Sequence, residues 1–393
     1  MMACGADIDP RFPSLPPCGG GLGWGVVLAL LLTPAASSHA RADDEITYRD
    51  ATAKKEIRLA GTILSESPSQ IVVRQNEGAI SQTIPVQDIV DVVYQVPALL
   101  RQDYRAALHR ETAARTASRA DDRRRELTRA LEKYQELLPR LTAPNVKCHI
   151  EFTIARLYAL AAQTDPTLAP TAIEHLTKFL ADHPEGWQQI ACADLLAGSE
   201  CAKGDWPGAQ KTYVDLLAKA KLAPHLRQDC ELKIVDILLR AGKLTEAQQK
   251  LAGLSKELTA DSPLGLRLEI AQAQCRRAAG QPDAAIGLLE RVIARTELPE
   301  LKARAYNALG DCHLGAKKPR LALWDYLWVD VIYFNHAPEH ARALYHLARL
   351  FHDFGEPARA QEYRNRLEQD PRFAGTEYRT RFASEPRFFP SSR

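Results

Sequence analysis

Residues 303–315 read Ala-Arg-Ala-Tyr-Asn-Ala-Leu-Gly-Asp-Cys-His-Leu-Gly and place apolar or small side chains at 305, 306, 309, 310 and 312. This spacing predicts a helix with one apolar face. A basic turn follows at residues 317–319, and residues 320–333 predict a second helix. Because the link is short, we expect the two helices to run antiparallel. Ala322 marks their closest approach, where a methyl group fits and a larger side chain overpacks the contact.

Alanines equivalent to Ala322 recur at a nearly fixed period. The gaps between neighbours are 42, 37, 38, 38, 37 and 38 residues, for Ala130, Ala172, Ala209, Ala247, Ala285, Ala322 and Ala360. Four of them stand five residues after a glycine, at Gly204, Gly242, Gly280 and Gly355. A proline follows each predicted second helix: Pro144, Pro184, Pro224, Pro263, Pro299, Pro338 and Pro371. A fixed period of this size predicts stacked helix pairs.

The units carry the side chains of a known repeat. Tyr306, Leu309, Gly310, Ala322 and Tyr326 match the bulky, Leu, Gly, Ala and aromatic positions of the tetratricopeptide repeat, which this unit resembles. The next unit matches through Leu344, Leu347, Ala348, Phe351, Gly355 and Ala360. The period is longer than the usual family repeat of about 34 residues. The resemblance implies a tetratricopeptide-like α-solenoid of six or seven helix pairs over residues 126–371.

The N-terminal region differs in character from the repeats. Residues 1–42 hold an apolar run at 21–35 and a small-x-small site before residue 43, as in a cleaved secretory signal peptide. Residues 43–97 contain five short β-branched segments separated by turn residues. They resemble a small SH3-like or Sm-like β-barrel. The predicted strands are Ile46–Arg49, Ile57–Leu64, Gln70–Arg74, Ala79–Pro85 and Ile89–Tyr94.

Two charged segments flank the solenoid. Residues 98–125 are rich in arginine and predict a solvated linker or capping helix between the barrel and the repeats. Residues 372–393 are basic and aromatic and are expected to be a disordered tail.

Charge balance argues against nucleic acid as a partner. The chain of 393 residues has a formal net charge of +2. Residues 43–97 hold nine acids against five bases, whereas a nucleic-acid surface needs a basic footprint.

The resemblance implies that set positions of the first helices line a concave groove. Arg267, Arg304 and Arg342 occupy the same position in successive units and form a ladder of guanidinium groups suited to carboxylates. The predicted groove residues are Arg267, Arg277, Arg304, Asn307, Asp311, Arg342, Tyr345, Arg349 and His352. Earlier units offer Asp229 and Asp236 instead, so the groove is expected to be electrically split. The alternative is that these arginines form a solvated face with local ion pairs.

The sequence carries no recognisable catalytic, nucleotide-binding, cofactor or metal motif. The nearest candidate, His336-Ala-Pro-Glu-His340, fits a zinc-protease pattern, but Pro338 is expected to keep His336 outside the helix. We therefore predict a non-enzymatic scaffold without cofactor or metal, exported to the periplasm or beyond, that binds a protein or peptide segment in the groove. The arginine ladder suits an acidic segment. After signal cleavage no transmembrane span is expected. The alternative is an envelope-binding module in which the barrel grips peptidoglycan or polysaccharide and the solenoid is a spacer.

Overall fold

The structure is a computed structural model that describes residues 43–50, 55–75, 81–117, 119–373 and 376–381. The predicted signal peptide and residues 382–393 lie outside the described residues. Five strands come first along the chain, at β1 (Asp44–Asp50), β2 (Lys55–Glu66), β3 (Gln70–Gln75), β4 (Ser81–Pro85) and β5 (Ile89–Val93). Each predicted β segment is confirmed over its described residues, and Ala79 and Ile80 of the fourth segment lie outside them.

The strands form one antiparallel sheet in the order β4-β3-β2-β1-β5. Strand β1 lies between β2 and β5, so the last strand of the module returns to pair with the first. Gly61 lies in the middle of β2, where it pairs with both β1 and β3. A Cβ atom there would clash with the Arg74 carbonyl, which explains why this strand position holds glycine.

In the part of the chain that the structure describes, the solenoid consists of seven antiparallel helix pairs. They are α1 (Arg101–Thr116) with α2 (Ala120–Leu137), α3 (Pro144–Ala162) with α4 (Ala169–Asp182), α5 (Gln189–Ala202) with α6 (Trp206–Lys219), α7 (Pro224–Arg240) with α8 (Leu244–Leu254), α9 (Pro263–Ala278) with α10 (Pro282–Arg295), α11 (Pro299–Gly315) with α12 (Pro319–Val331), and α13 (Ala337–Asp353) with α14 (Pro357–Gln369). All seven recurrent alanines lie in second helices and are fully buried. This confirms the tetratricopeptide-like α-solenoid.

The turns inside the pairs explain the recurrent glycines. Gly204, Gly242, Gly280 and Gly355 have φ between 75° and 78°, a left-handed conformation that favours glycine. In the pair α11/α12, Lys317 takes this place with φ of 56°. From α7 onward the first helices contact one another more closely than the second helices do, so the first helices form the inner, concave face.

The predicted linker at residues 98–125 is wrong as a separate element. Residues 101–116 form α1, and the predicted boundary at 125/126 falls inside α2. The buried side chains of α1 form a narrow stripe that includes Tyr104, Ala107 and Ala114. The exposed arginines around this stripe make it difficult to recognise in the sequence. Glu111 on the same stripe accepts a hydrogen bond of 2.9 Å from the Tyr134 hydroxyl of α2. The segment is therefore the first helix of the first pair.

The sheet shares its hydrophobic core with the first helices. Ile46, Ile71 and Val92 of the sheet belong to the same buried cluster as Leu137 and Leu157 of the helices. The Tyr94 hydroxyl accepts a hydrogen bond of 2.9 Å from the Trp187 indole and donates one of 3.0 Å to Glu66. The predicted boundary at 97/98 thus runs through one continuous core and does not separate two folding units.

The tail beyond residue 371 is folded where the structure describes it, which corrects the prediction of disorder. Phe373 is buried and meets the His340 ring edge-on, with centroids 5.1 Å apart. A short helix, α15 (Glu377–Arg381), follows and packs against α13 and α14. Because both contacts use aromatic side chains spaced irregularly, no helical period in the sequence announces them. Within the described residues, no helix is both long and apolar enough to cross a membrane.

Candidate functional site

A cleft of about 360 Å³ opens on the concave face between the first helices of the last four pairs and α15. We call it the groove. Its walls carry five guanidinium groups and three carboxylates, together with apolar and amide side chains. The lining residues are Asp236, Leu239 and Arg240 of α7, Gln274, Arg277 and Ala278 of α9, Arg304 of α11, Pro338, Glu339 and Arg342 of α13, and Glu377, Tyr378 and Arg381 of α15.

The predicted arginines line up along the first helices, but each is paired with an acid from another unit. Arg267 forms an ion pair with Asp229, which occupies the same repeat position one unit earlier. Arg304 lies 3.1 Å from Asp236 and 3.5 Å from Glu339. Arg342 binds Asp311 and lies 3.7 Å from Glu339. Ion pairs across units therefore join the acidic and basic positions that were expected to form separate halves of the groove, and the paired arginines are largely buried.

Asn307 and Asp311 are structural parts of this network. The Asn307 amide is fully buried and donates to the Glu339 carbonyl and carboxylate, both at 2.8 Å. Asp311 accepts a hydrogen bond of 2.7 Å from the Tyr326 hydroxyl. Burial by itself would raise the pKa of Asp311, but Arg342, His346 and Tyr326 outweigh it and hold that pKa at about 2.

Glu339 joins the ladder to its neighbours and was missed by the sequence analysis. Burial opposes its charge, yet Arg304 and Arg342 together lower the pKa of Glu339 below its ordinary value. The carboxylate thus stays ionised between two guanidinium groups. Glu339 lies one helical turn before Arg342, a spacing that identifies an ion pair within one helix but not its reach to α11.

Arg277 is the predicted groove residue with the most open environment. It is exposed, it lines the groove, and it forms no ion pair within 4.0 Å with any residue in the described ranges. Arg267, which was predicted beside it, is half-buried against α7 and does not line the groove. Of the predicted residues, Arg277, Arg304 and Arg342 come together in the groove, and among these Arg277 alone has no ion-pair partner in the described part of the chain.

The remaining predicted residues lie where α15 docks on α13. Tyr345 is buried, and its hydroxyl accepts a hydrogen bond of 3.1 Å from Arg349. The Tyr378 ring of α15 lies with its centroid 5.6 Å from that of Tyr345. His352 lies in the last turn of α13, 3.5 Å from the Asp353 carboxylate and away from the groove lining.

Helix α15 brings two further groups that the sequence analysis missed. Glu377 forms an ion pair with Arg240 at the end of α7, across 137 residues of sequence. The Arg381 guanidinium lies 5.5 Å from the centre of the Tyr345 ring and 5.3 Å from that of Tyr378. Arg240 was missed because it stands one residue after the repeat position that carries Arg277 in the next unit.

The zinc-protease motif does not assemble. His336 precedes α13 and lies 3.5 Å from Glu300, whereas His340 is buried on α13 and lies 2.8 Å from Asp330. Across the residues that the structure describes, no group of three or more His, Cys, Asp or Glu side chains is placed to hold a metal ion.

No protein-family model matches the sequence, and no curated protein matches it. Solved structures with a similar arrangement include a tetratricopeptide repeat protein from Parabacteroides merdae, at 16% identity over 68% of this chain and 93% of that chain, with a TM-score of 0.47. NprR in complex with its cognate peptide NprX matches at 12% identity over 75% and 85% of the two chains, with a TM-score of 0.42. A Rap protein complexed with competence and sporulation factor matches at 12% identity over 69% and 77%, with a TM-score of 0.44. At such identities and TM-scores, no function follows from these similarities.

Proposed function

We propose that this chain is a non-enzymatic interaction scaffold that binds a protein or peptide segment in the groove. The observation that carries the proposal is that the groove wall already includes a segment of the chain itself. Glu377 pairs with Arg240 and Tyr378 packs on Tyr345, so the surface accepts a carboxylate and an aromatic ring one residue apart.

The charges of the groove favour an acidic aromatic segment as its ligand. Arg304 and Arg342 are neutralised by Asp236, Asp311 and Glu339, so they act as a fixed wall. Arg277 meets an incoming carboxylate directly, and Arg240 does so when Glu377 leaves it. A charge-assisted hydrogen bond from a guanidinium to a carboxylate is stronger than a neutral one, and the preformed helices reduce the ordering cost of binding.

Export belongs to the same proposal and is supported by the apolar run and small-x-small site of residues 21–42. The alternative, in which the β module binds the cell envelope, remains a hypothesis that rests on the sequence alone. Deleting residues 43–97 is an unsuitable test of it, because the deletion removes Tyr94 and Val96 from the core shared with α1–α3.

The test uses a fluorescein-labelled peptide with the sequence of residues 374–385 and the chain truncated after Phe373. We expect saturable binding to the truncated chain and weaker binding to the full chain, in which Glu377 and Tyr378 occupy their own sites. The substitutions Arg240→Glu and Arg277→Glu together should weaken binding at least about tenfold, as loss of a charge-assisted contact implies. Fluorescence anisotropy measures the affinities.

Arg276→Glu is the matched control, because Arg276 is the exposed neighbour of Arg277 and does not line the groove. Arg304 and Arg342 are unsuitable for this test, since reversing a buried, paired charge destabilises the fold. A truncated chain with native circular dichroism that fails to bind the peptide, or binds it equally well with both groove arginines reversed, would contradict the proposal.

A further inference from the structure

The outer surface of the pair α11/α12 carries an exposed apolar face. Trp324 is 65% exposed and Trp328 is 46% exposed, although both are among the largest apolar side chains. We define the α12 face by Leu321, Trp324, Trp328, Val331 and Ile332, all of them exposed. Exposed apolar residues scattered singly need no explanation, but a contiguous group on one helix marks an interaction surface.

The same repeat positions are small or charged in the flanking units. Counted from the buried alanine of each second helix, the position of Trp324 holds Gly287 in α10 and Glu362 in α14. The position of Trp328 holds Arg291 and Arg366. The aromatic face is therefore a property of α12 and not a requirement of the repeat fold.

The acids of α12 point away from this face. Asp325 is buried and lies 2.5 Å from His313, while Asp330 is buried against His340 and Arg366. Inward orientation of both carboxylates leaves the exposed side of α12 without negative charge. Three exposed cations lie instead at its N-terminal end: Lys317 and Lys318 just before the helix and Arg320 in its first turn. Of these, Lys318 lies 3.5 Å from the exposed Asp283 of α10.

Trp328 is held in place on this face by stacking on other aromatic rings. The Trp328 ring stacks on Tyr306 with centroids 5.7 Å apart, and Tyr306 stacks on Tyr333, which holds the indole in place. In the described part of the chain, neither Trp324 nor Trp328 donates its indole N–H to a hydrogen-bond acceptor. An exposed ring with an unpaired N–H suits the boundary between lipid headgroups and acyl chains, where tryptophan is enriched.

We propose that the α12 face docks on an anionic lipid surface. The aromatic and aliphatic side chains enter the headgroup boundary, and Lys317, Lys318 and Arg320 lie against the negatively charged headgroups, in the manner of an interfacial amphipathic helix. Charge complementarity favours this occupant over a second copy of the chain, because a second copy would bring the same three cations to the contact. The groove lies on the opposite, inner side of these helices and stays accessible in the docked protein.

The test is vesicle flotation with residues 43–393, which contain every contact described above and omit an apolar leader that would itself bind lipid. Two kinds of vesicle are compared. One is phosphatidylcholine with about 30% phosphatidylglycerol, which mimics an anionic leaflet, and the other is pure phosphatidylcholine. We expect flotation with the anionic vesicles, a blue shift of tryptophan fluorescence, and weaker binding at high salt. W324A/W328A should reduce the bound fraction at least about tenfold, and K318E/R320E should reduce binding to anionic vesicles specifically.

Lys219 and Lys256 are exposed lysines outside the α12 face, so K219E/K256E matches the charge change of K318E/R320E and should leave flotation unchanged. Native circular dichroism of every variant separates loss of binding from loss of fold. The proposal is overturned by absence of flotation with anionic vesicles, or by equal flotation of wild type and W324A/W328A. A lipid-free dimer that W324A/W328A converts to a monomer, with no vesicle binding, overturns it in favour of a self-association surface.

Discussion

The inner and outer faces of the last four helix pairs are built from the same repeat but with opposite chemistry. On the inner face, arginines and acids of α7, α9, α11 and α13 interlock, and Asp311 is held by Arg342, Tyr326 and His346. On the outer face, α12 exposes Trp324 and Trp328, while its acids are turned inward. The difference shows that paired charged side chains stabilise the fold on the inner face, whereas the exposed apolar side chains of the outer face have a role other than stabilising the fold.

Substitutions on the two faces are therefore expected to change the free energy of unfolding by different amounts. Removing one partner of a buried ion pair leaves the other charge uncompensated, which costs about 3–5 kcal/mol. Truncating an exposed side chain away from such features usually changes stability by no more than about 0.5 kcal/mol. We therefore expect the exposed tryptophans to be dispensable for folding and the buried Asp311 to be essential for it.

The largest effect is expected for Asp311→Ala. The substitution leaves Arg342 buried beside Glu339 without its main partner and should lower the free energy of unfolding by about 3–5 kcal/mol. Urea denaturation followed by circular dichroism measures the change. Asp353→Ala, at an exposed acid that ends α13, is the control and should change little. Equal stability of the two variants would remove the distinction between a structural inner network and a solvated charged face.

A smaller loss is expected at the crossing that separates the two faces. Ala322 is fully buried where α12 meets α11, and Ala322→Leu should cost about 1–3 kcal/mol through overpacking. Ala294→Leu is the control, because Ala294 is exposed on the outer side of α10. Thermal melts of both variants compare them. A wild-type melting temperature for Ala322→Leu would show that the crossing tolerates bulk.

The inner face should also make stability depend on pH. Burial lowers the pKa of His346 to about 4, and Arg342 reinforces this against the opposing effect of Asp311. The unfolded chain therefore binds a proton that the folded chain does not, and stability should fall as pH falls from about 6.5 towards 4. A further loss follows below pH 4, as Asp311 titrates towards its folded pKa of about 2.

This dependence is tested by measuring urea midpoints at a series of pH values between about 7 and 4, a range that includes the ordinary pKa of histidine. His346→Gln should flatten the slope in that window, and the remaining slope includes His149, whose pKa burial also lowers to about 4. The outer-face variant W324A/W328A should give a curve parallel to that of the wild type. An unchanged slope in His346→Gln would show that this histidine does not report on the inner network.

The smallest effect on stability is expected for Trp324→Ala. With most of its ring exposed, the residue should contribute no more than about 0.5 kcal/mol to the free energy of unfolding. Trp328→Ala should cost slightly more, because its ring stacks on Tyr306. Urea midpoints measure both. A loss of several kcal/mol at Trp324 would make the outer aromatic face part of the core and erase its difference from the inner face.

Much of the fold was predictable because it repeats. A buried alanine at each helix crossing, a left-handed turn such as that at Gly242, and a proline at the first turn of a helix are local requirements, so they leave a periodic record in the sequence. The five strands were predictable for the same reason, since β-branched segments and turn residues alternate along residues 43–97.

The candidate site was only partly predictable. Repeat register located Arg304 and Arg342 on the inner face. Register does not show that Asp236 and Glu339 neutralise Arg304 from two other units, or that Asp311 neutralises Arg342. The folding back of Glu377 onto Arg240 was missed because one ion pair across 137 residues has no period. The role of α1 was missed because its buried stripe is narrow and surrounded by arginines.

The sequence by itself determined the unit of this protein: two helices, a turn and a methyl-sized crossing, because these depend on neighbours within about 38 residues. Only the tertiary structure decided which charges remain available, because pairing depends on side chains that meet from different units. It likewise decided that the sheet shares a core with α1–α3 and that Trp324 stays in solvent. The period of the sequence reflects the local requirements of each helix pair, whereas burial and charge compensation depend on how the pairs pack against one another.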